Sequence, residues 1–281
     1  MRTLTDIFRT IRQQRRLIRF LISRLIPALR LHYLFRIHRA GYRLYFHRSA
    51  LSKRLWASKM ENPQGANMMA SLLTPGETCV DVGANIGDYT LAAACAVGPS
   101  GHVYAFEAHP RTMCFLRENL KLTNVRHVST GQLVVGARTG WANFTDHKSD
   151  NVNRITDDPE TIRVPMVRLE PFIREPHIVL LKIDVEGAEH DVLKGLGTRL
   201  SDIKIVLFEV QDDHFDTFGT SFADIHDLLT DSGFLVFEFS GEALREVERS
   251  ERFLTYRNLL ACRDRATLET RLETRLTSVK P

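Results

Sequence analysis

The sequence predicts an α/β fold: a largely parallel sheet with helices on both faces, plus a basic helical extension at the N-terminus. Three observations predict it. After Pro75-Gly76, short apolar runs alternate with helical patterns. One run, 178–183, is apolar at every position but Lys182, as in a strand buried on both faces. The charge is also divided along the chain. Residues 1–60 hold 15 Lys and Arg against one acid, Asp6, for +14; the other 221 residues hold 23 basic and 33 acidic groups, for −10.

The N-terminal stretch reads as helical. Leu4, Ile7, Phe8, Ile11, Ile18, Ile22, Leu25, Ile26 and Leu29 recur at helical spacing, with arginines between them. Pro27 should kink or break that helix, and Arg-rich aromatic sequence continues to Trp56. Such a segment can cap the core, lie on an anionic membrane surface or act as a transit peptide. No nucleic-acid recognition motif accompanies the charge, so no specific nucleic-acid partner is expected. Strands are then expected at 79–82, 103–106, within 125–135, and at 178–183, 203–208, 235–239 and 258–262. Helices are expected at 87–97, 110–122, 186–196 and 222–229. Ala188, Val192, Leu193 and Leu196 share one face of the helix at 186–196. The polar stretch 139–165 should form a hairpin and an exposed loop. In the tail, Leu268, Leu272 and Leu276 form one stripe, while Glu269 stacks on Glu273 and Arg271 on Arg275, pairs that repel. A marginal surface helix or a partner-binding tail is expected there.

The chain is long enough for one good core with extensions. The expected units are a basic arm at 1–60, a catalytic domain at 61–263 and a charged tail at 264–281. No apolar run reaches the roughly 18 residues of a membrane span. The four cysteines, with no C-x-x-C pair, argue against a disulfide scaffold and a zinc site. They suit a reducing compartment, so a cytoplasmic location is expected, with contact at the inner face of a membrane as one role of the arm.

"CVDVGANIGDYT" follows a strand and opens a helix. A nicotinamide fingerprint would place glycine where Asn85 stands, so backbone could approach a pyrophosphate. A P-loop would end in Gly-Lys-Ser/Thr; this turn ends in Gly-Asp-Tyr. Glu107 stands 20 residues beyond Gly87, at the tip of the second strand, placed to accept from ribose hydroxyls. Asp81, at the end of the first strand, could meet an ammonium group. Either acid alone fits a solvated strand end. Together they fit a cationic nucleoside such as S-adenosylmethionine.

"VDVGANIGDYT", "GHVYAFEAHP" with "LRENLKLTNV", and "LLKIDVEGAEHDVLKG" resemble the FkbM family of S-adenosylmethionine-dependent methyltransferases, and "IVLFEV" and "YRNLLAC" continue the match over roughly 77–263. The resemblance implies the class I methyltransferase (Rossmann-like) fold, a seven-stranded sheet with one antiparallel strand. It implies a cofactor at Asp81, Gly83, Ala84, Asn85, Gly87, Glu107 and Ala108. It implies methyl transfer, typically to a hydroxyl of a sugar, glycolipid, polyketide or other secondary metabolite. Two positions depart from the pattern. Ala137 stands where relatives carry an acid, leaving that adenine-side contact to Gln132 or a backbone group; Glu170 replaces an aspartate, a change expected to be structural. The arm falls outside the family core.

Methyl transfer to an alcohol needs an aligned nucleophile and a group to take its proton. Lys182 and Asp184 share one face of the fourth strand at its carboxyl end. Asp184 is the expected base, with Lys182 orienting it or the acceptor oxygen; Glu186 and Glu209 are the next candidates. Asp184 and Glu209 could hold Mg²⁺, but no spacing demands a metal and none is expected. Glu189 and Asp191 read as helix-start acids. His109 and His190 read as structural or surface residues, and His214 as overhanging the pocket. The rival readings are a nicotinamide-dependent oxidoreductase and a non-catalytic nucleoside-binding adaptor with a membrane arm. The acceptor pocket is expected from 139–165 and 211–221 and should take a small-molecule, glycan or lipid-linked acceptor.

Overall fold

The computed structural model describes residues 18, 21–26, 29, 34–57, 65–147, 150, 153–241 and 243–278, and the side chains of the last six are outside the description. The chain begins with a short hairpin, β1 (Arg36–His38) and β2 (Arg43–Tyr45), then α1 (Ala50–Ala57) and α2 (Ala66–Ser71). The alternating segment follows: β3 (Thr78–Val82), α3 (Asp88–Val97), β4 (His102–Phe106), α4 (Pro110–Thr123) and β5 (Val128–Gly131). An inserted segment holds β6 (Val134–Val135), β7 (Gly140–Phe144), β8 (Ile155–Thr156) and β9 (Ile162–Val167). Then come β10 (Ile178–Ile183), α5 (Glu189–Gly195), β11 (Ile203–Val210), α6 (Asp212–Thr217) and α7 (Phe222–Asp231). The chain closes with β12 (Leu235–Phe239), β13 (Leu244–Glu246), β14 (Arg257–Cys262) and α8 (Arg265–Ser278).

The main sheet has the order β13-β12-β14-β11-β10-β3-β4-β5. Its five central and right-hand strands, β11 through β5, are mutually parallel. β14 runs antiparallel between β11 and β12. This is the expected seven-stranded sheet with one reversed strand, to which β13 adds a short antiparallel edge. Both faces are covered. Leu181, Ile183, Val206 and Phe208 pack with Val192 of α5 and Ile225 of α7. Leu180, Ile205 and Leu207 pack on the opposite face with Met69 of α2, Ala93 of α3 and Leu268 of α8. The period-2 alternation of β10 therefore sends Lys182 to the α3 side, the same side as Leu180.

Several expectations are corrected. The helix after β10 starts at Glu189, three residues late, because Glu186 and Gly187 take φ of +58° and +111° and form a turn. The stretch 125–135 splits between two sheets: β5 joins the main one, and β6 pairs with β9 in a second sheet of order β6-β9-β7-β8. The polar segment 139–165 thus forms strands that bury Ala142, Phe144 and Val164.

The N-terminal stretch is helical over the described residues 21–26, but 36–45 is a hairpin. Ile37, Leu44 and Phe46 pack with Leu91, Met113 and Leu116. Tyr42 Oη donates to Asp88 at 2.7 Å, and the Arg39 guanidinium donates to both oxygens of that carboxylate at 3.3 Å. Residues 1–17 and Pro27 lie outside the described residues. The C-terminal segment is docked. Leu268 and Leu272 are buried beneath the sheet, and Arg271 pairs with Glu77 at 2.6 Å while donating to the Leu72 carbonyl. The two buried leucines and the Arg271–Glu77 pair hold the segment on the core. All four cysteines are free, with Cys79 and Cys262 buried.

Candidate active site

The C-terminal ends of β3, β4, β10 and β11 border a cleft of about 300 Å³, where open parallel sheets bind ligands. Gly83 makes the turn out of β3. Its φ is +79°, and a Cβ there would stand 1.8 Å from the Asp184 carbonyl oxygen. The tips of β3 and β10 therefore meet more closely than any side chain allows. The N–H groups of Gly83 and Ala84 donate to the Phe106 carbonyl at 2.9 and 3.0 Å, tying the turn to β4.

Glu107 binds two loops together. Its Oε2 accepts from the Asn85 N–H and its Oε1 from the His109 N–H, each at 2.9 Å. Burial pushes its carboxyl up to about 7, against those two bonds. Carboxylate oxygens keep further lone pairs, and Gly83, Ala84, Asn85, Glu107 and Ala108 all line the cleft. An apolar wall of Phe106, Leu133, Val134, Val135 and Phe144 stands beside them. This set fits a nucleoside: an acceptor for a diol, backbone without side-chain bulk, and apolar surface for a base. Gln132 is exposed and does not line the cleft; Leu133 to Val135 stand there instead.

Two predicted cofactor residues are not at the surface of the cleft. Gly87 has φ of +92° at the start of α3, where a Cβ would stand 2.5 Å from Leu116 Cδ1, so its smallness serves packing of α3 on α4. Asp81 is fully buried. It accepts from Thr90 Oγ1 at 2.6 Å and pairs with Lys182 Nζ at 3.2 Å. The ammonium that Asp81 meets is the chain's own.

Lys182, 3 % exposed, directs Nζ to the Gly83 carbonyl at 2.8 Å, to Asp81 and to Asp184 Oδ2 at 3.3 Å. An ammonium has three donors, so these partners commit all of them. Burial disfavours its charge, but Asp184 and Asp81 outweigh that and raise its pKa. The Tyr89 ring covers the ammonium at 5.0 Å. Lys182 is thereby a positioning residue: it holds the turn and orients Asp184, whose side chain is 31 % exposed.

Asp184, Glu186, Glu209 and His214 line the same end of the cleft. Burial pushes Glu186 up to about 8 and Glu209 to about 9, with neighbouring carboxylates adding to it. Burial and the Arg154 charge lower His214. With Glu186 raised and His214 lowered, their 3.4 Å contact at neutral pH joins a carboxylic acid to a neutral imidazole rather than a full ion pair. Glu189 is buried outside the cleft lining, and its Oε1 accepts from the Val185 and Gly187 N–H groups, closing the turn after β10. His109 caps α4 through Nδ1 and contacts Asp146 through Nε2, so it is structural. Glu170 pairs with Arg168 at 3.2 Å, away from the cleft.

The loops expected to build an acceptor pocket contribute Asp150, Asn153 and Ile155, and Gln211 with His214. Leu51, Arg54, Tyr89 and Tyr256 also line the cleft and were not foreseen. Tyr89 lies inside the quoted glycine block, within reach of a motif argument. Leu51 and Arg54 are on α1, in the stretch set aside as an arm, and no spacing rule connects them to the site.

The Methyltransferase FkbM domain family matches residues 81–236. The chain belongs to the FkbM methyltransferase family. This FkbM protein is 32 % identical to "Methyltransferase 1" of Beauveria bassiana over 184 residues, 56 % of this chain and 72 % of that protein. It is 31 % identical to "Hexuronic acid methyltransferase AglP" of Haloferax volcanii over 138 residues, 46 % of this chain and about half, 54 %, of AglP. Among solved structures, Methyltransferase FkbM from Methylobacillus flagellatus has a TM-score of 0.45 at 15 % identity, covering 69 % of this chain and 47 % of that one. TYW2 of M. jannaschii, in complex with AdoMet, has a TM-score of 0.44 at 15 % identity, covering 81 % and 84 %. The FkbM protein is an S-adenosylmethionine-dependent methyltransferase with the class I fold. The nicotinamide reading is set aside.

Proposed function

We propose that the enzyme methylates a hydroxyl group on an acidic sugar or a related small metabolite, free or lipid-linked. The observation that carries this reading is the partly open carboxylate of Asp184, fixed by a buried lysine at the end of β10. S-adenosylmethionine supplies an electrophilic methyl group. Gly83, Ala84, Asn85, Glu107 and Ala108 hold the cofactor, with Glu107 accepting from its ribose hydroxyls. Asp184 takes the acceptor's proton as its oxygen gains the methyl group, and Lys182 keeps that carboxylate in place. Glu209 and Glu186 border the acceptor. Arg54, exposed at the cleft, suits an acceptor carboxylate, which a guanidinium can grip with two parallel bonds. The Haloferax relative is a hexuronic acid methyltransferase by name, which supports an acidic sugar. The test is incubation with methyl-labelled cofactor and a panel of uronic acids, neutral sugars, polyketides and amines, with NMR of the product. Label on oxygen of an acidic sugar is expected; transfer to nitrogen, or to neutral acceptors with no preference, sinks the reading.

Cofactor affinity should depend on pH through Glu107. Its carboxyl titrates near 7, above its usual 4.5, mainly because it is buried. A ribose diol needs the charged acceptor, so binding favours the deprotonated form and weakens as pH falls through 7. Calorimetry should give a Kd about tenfold higher at pH 6 than at pH 8. Glu107→Gln should bind weakly at both pH values and lose that slope; a retained slope assigns it to another group.

We propose a membrane-surface role for the N-terminal stretch as well. Among the described residues no helix is long and apolar enough to cross a membrane. Ile18, Leu21, Leu25 and Leu29 are more than half exposed in Arg-rich sequence, the composition of an interfacial helix. Sedimentation with anionic vesicles should recover the full chain, and removing residues 1–33 should abolish it while leaving the hairpin and α1 in place. Equal recovery of both ends this idea.

A further inference from the structure

Three side chains at the acidic end of the cleft come from three different elements. Glu209 lies near the end of β11, where it pairs with Asn258 of β14. Glu186 lies in the turn after β10, and His214 in α6. One ligand-capable atom from each lies within 4.8 Å of the others. All three are half-buried, so none needs to be drawn far from water.

The backbone holds this triad together. Gly187 has φ of +111°, and a Cβ there would stand 2.5 Å from the His214 carbonyl oxygen. The turn that carries Glu186 thus rests directly on the backbone of α6. That contact places His214 Nδ1 3.4 Å from Glu186 Oε2. Glu189 fixes the same turn from below through Val185 and Gly187. A strand, a braced turn and a helix are the rigid supports a metal site requires.

Charge points the same way. Asp184, Glu186, Glu189 and Glu209 influence one another, and the cations whose charge reaches Glu186 are Arg154 and Lys182. Lys182 already serves Asp81 and Asp184. Glu189 Oε2 is buried without a hydrogen-bond partner. Four carboxyl groups thus share the acidic end of the cleft with Arg154 and an already engaged lysine.

We propose that Glu186, Glu209 and His214 bind one divalent cation in the acceptor half of the cleft. Two carboxylates and one imidazole suit Mn²⁺, and Mg²⁺ less tightly. Metal–ligand bonds of about 2.1 Å place octahedral ligands about 3 Å apart when adjacent and about 4.2 Å when opposite. Glu186 and His214, 3.4 Å apart, already stand near the adjacent spacing, and Glu209, within 4.8 Å of both, closes to it by side-chain movements of up to about 2 Å. Three protein ligands leave positions open for an acceptor oxygen. There the ion would lower the pKa of a bound hydroxyl and ease proton loss to Asp184. That role rests on the hydroxyl acceptor proposed above; the binding of the ion does not.

The test is titration of the full chain with Mn²⁺, followed by electron paramagnetic resonance of the free ion. One equivalent should bind, Mg²⁺ in excess should displace it, and the bound ion should show nitrogen modulation from one imidazole. Glu209→Gln and His214→Ala should each weaken binding at least tenfold, the second abolishing the nitrogen signal, while calorimetry shows the cofactor still bound. Asp146→Asn, on a surface loop, should change nothing. No stoichiometric binding, or binding that survives both variants, overturns the site. O-methyl product formed at full rate with chelator present and no Mn²⁺ bound overturns the catalytic role given to the ion, while leaving the acceptor reading intact. Binding lost in both variants upholds the site even if the acceptor is not a hydroxyl.

Discussion

Lys182→Met should destabilise the fold by about 3–5 kcal/mol, the range for removing one partner of a buried ion pair. The lysine is buried, and Asp81 behind it is fully buried. Methionine fills much the same volume, so packing is not what changes. What remains is a carboxylate with Thr90 Oγ1 as its hydrogen-bond donor, enclosed by strands on either side. The Gly83 carbonyl loses its 2.8 Å donor at the same time. Denaturant melts read by circular dichroism measure the effect. A loss below about 1 kcal/mol would mean that water reaches Asp81. The pair can be separated from the site by a second change. Lys182→Met with Asp81→Asn should recover much of the stability, because the orphaned charge is gone. It should not recover turnover, because Asp184 has lost the group that orients it.

Asp184→Asn should lower kcat by about 10²- to 10⁴-fold at saturating cofactor, the usual weight of a general base. The amide has the shape of the carboxylate and its oxygen can still accept from Lys182. The side chain is partly exposed, so little stability is at stake. Cofactor affinity should stay within about threefold, since the cradle proposed for the cofactor is built from the ends of β3 and β4. Rates above a tenth of the original would move the proton to another group. Glu209 is the next in line, and because burial holds its carboxyl up near 9, any rate it carries should grow as pH rises toward that value. The variant therefore separates a base from a mere neighbour.

What the sequence made legible followed from local rules. Apolar runs and glycine turns placed every strand of the main sheet except the edge strand β13, which is a three-residue addition with no apolar signature. The places of Gly83 and Glu107 at the cleft were legible because they depend on strand ends and near-neighbour backbone. Asp81 was misread because a strand-tip acid looks the same whether it faces solvent or a lysine on the adjacent strand; pairing of Asp81 with Lys182 is a matter of register between β3 and β10. Arg54 and Leu51 escaped for a similar reason. They follow a hairpin whose Tyr42 and Arg39 bind Asp88, a contact across more than forty residues. The tail was misread because charge repulsion is visible along a helix, whereas the groove that buries Leu268 is not.

The reversed strand β14 has a consequence for how the chain reaches this fold. It is the last strand made, yet it lies between β11 and β12 in the sheet. Until residue 262 has been synthesised, those two strands face a gap and expose unpaired backbone edges. The seven-stranded sheet cannot close from the N-terminus onward, however early its first half forms. The matched family segment ends at residue 236, before this strand begins. That segment, which also cuts β3 and keeps only two residues of β12, should leave the β11 edge uncovered and aggregate rather than fold when expressed alone. Insertion between two strands already in place is a late, long-range event, and it should set the slowest step of folding on and off the ribosome.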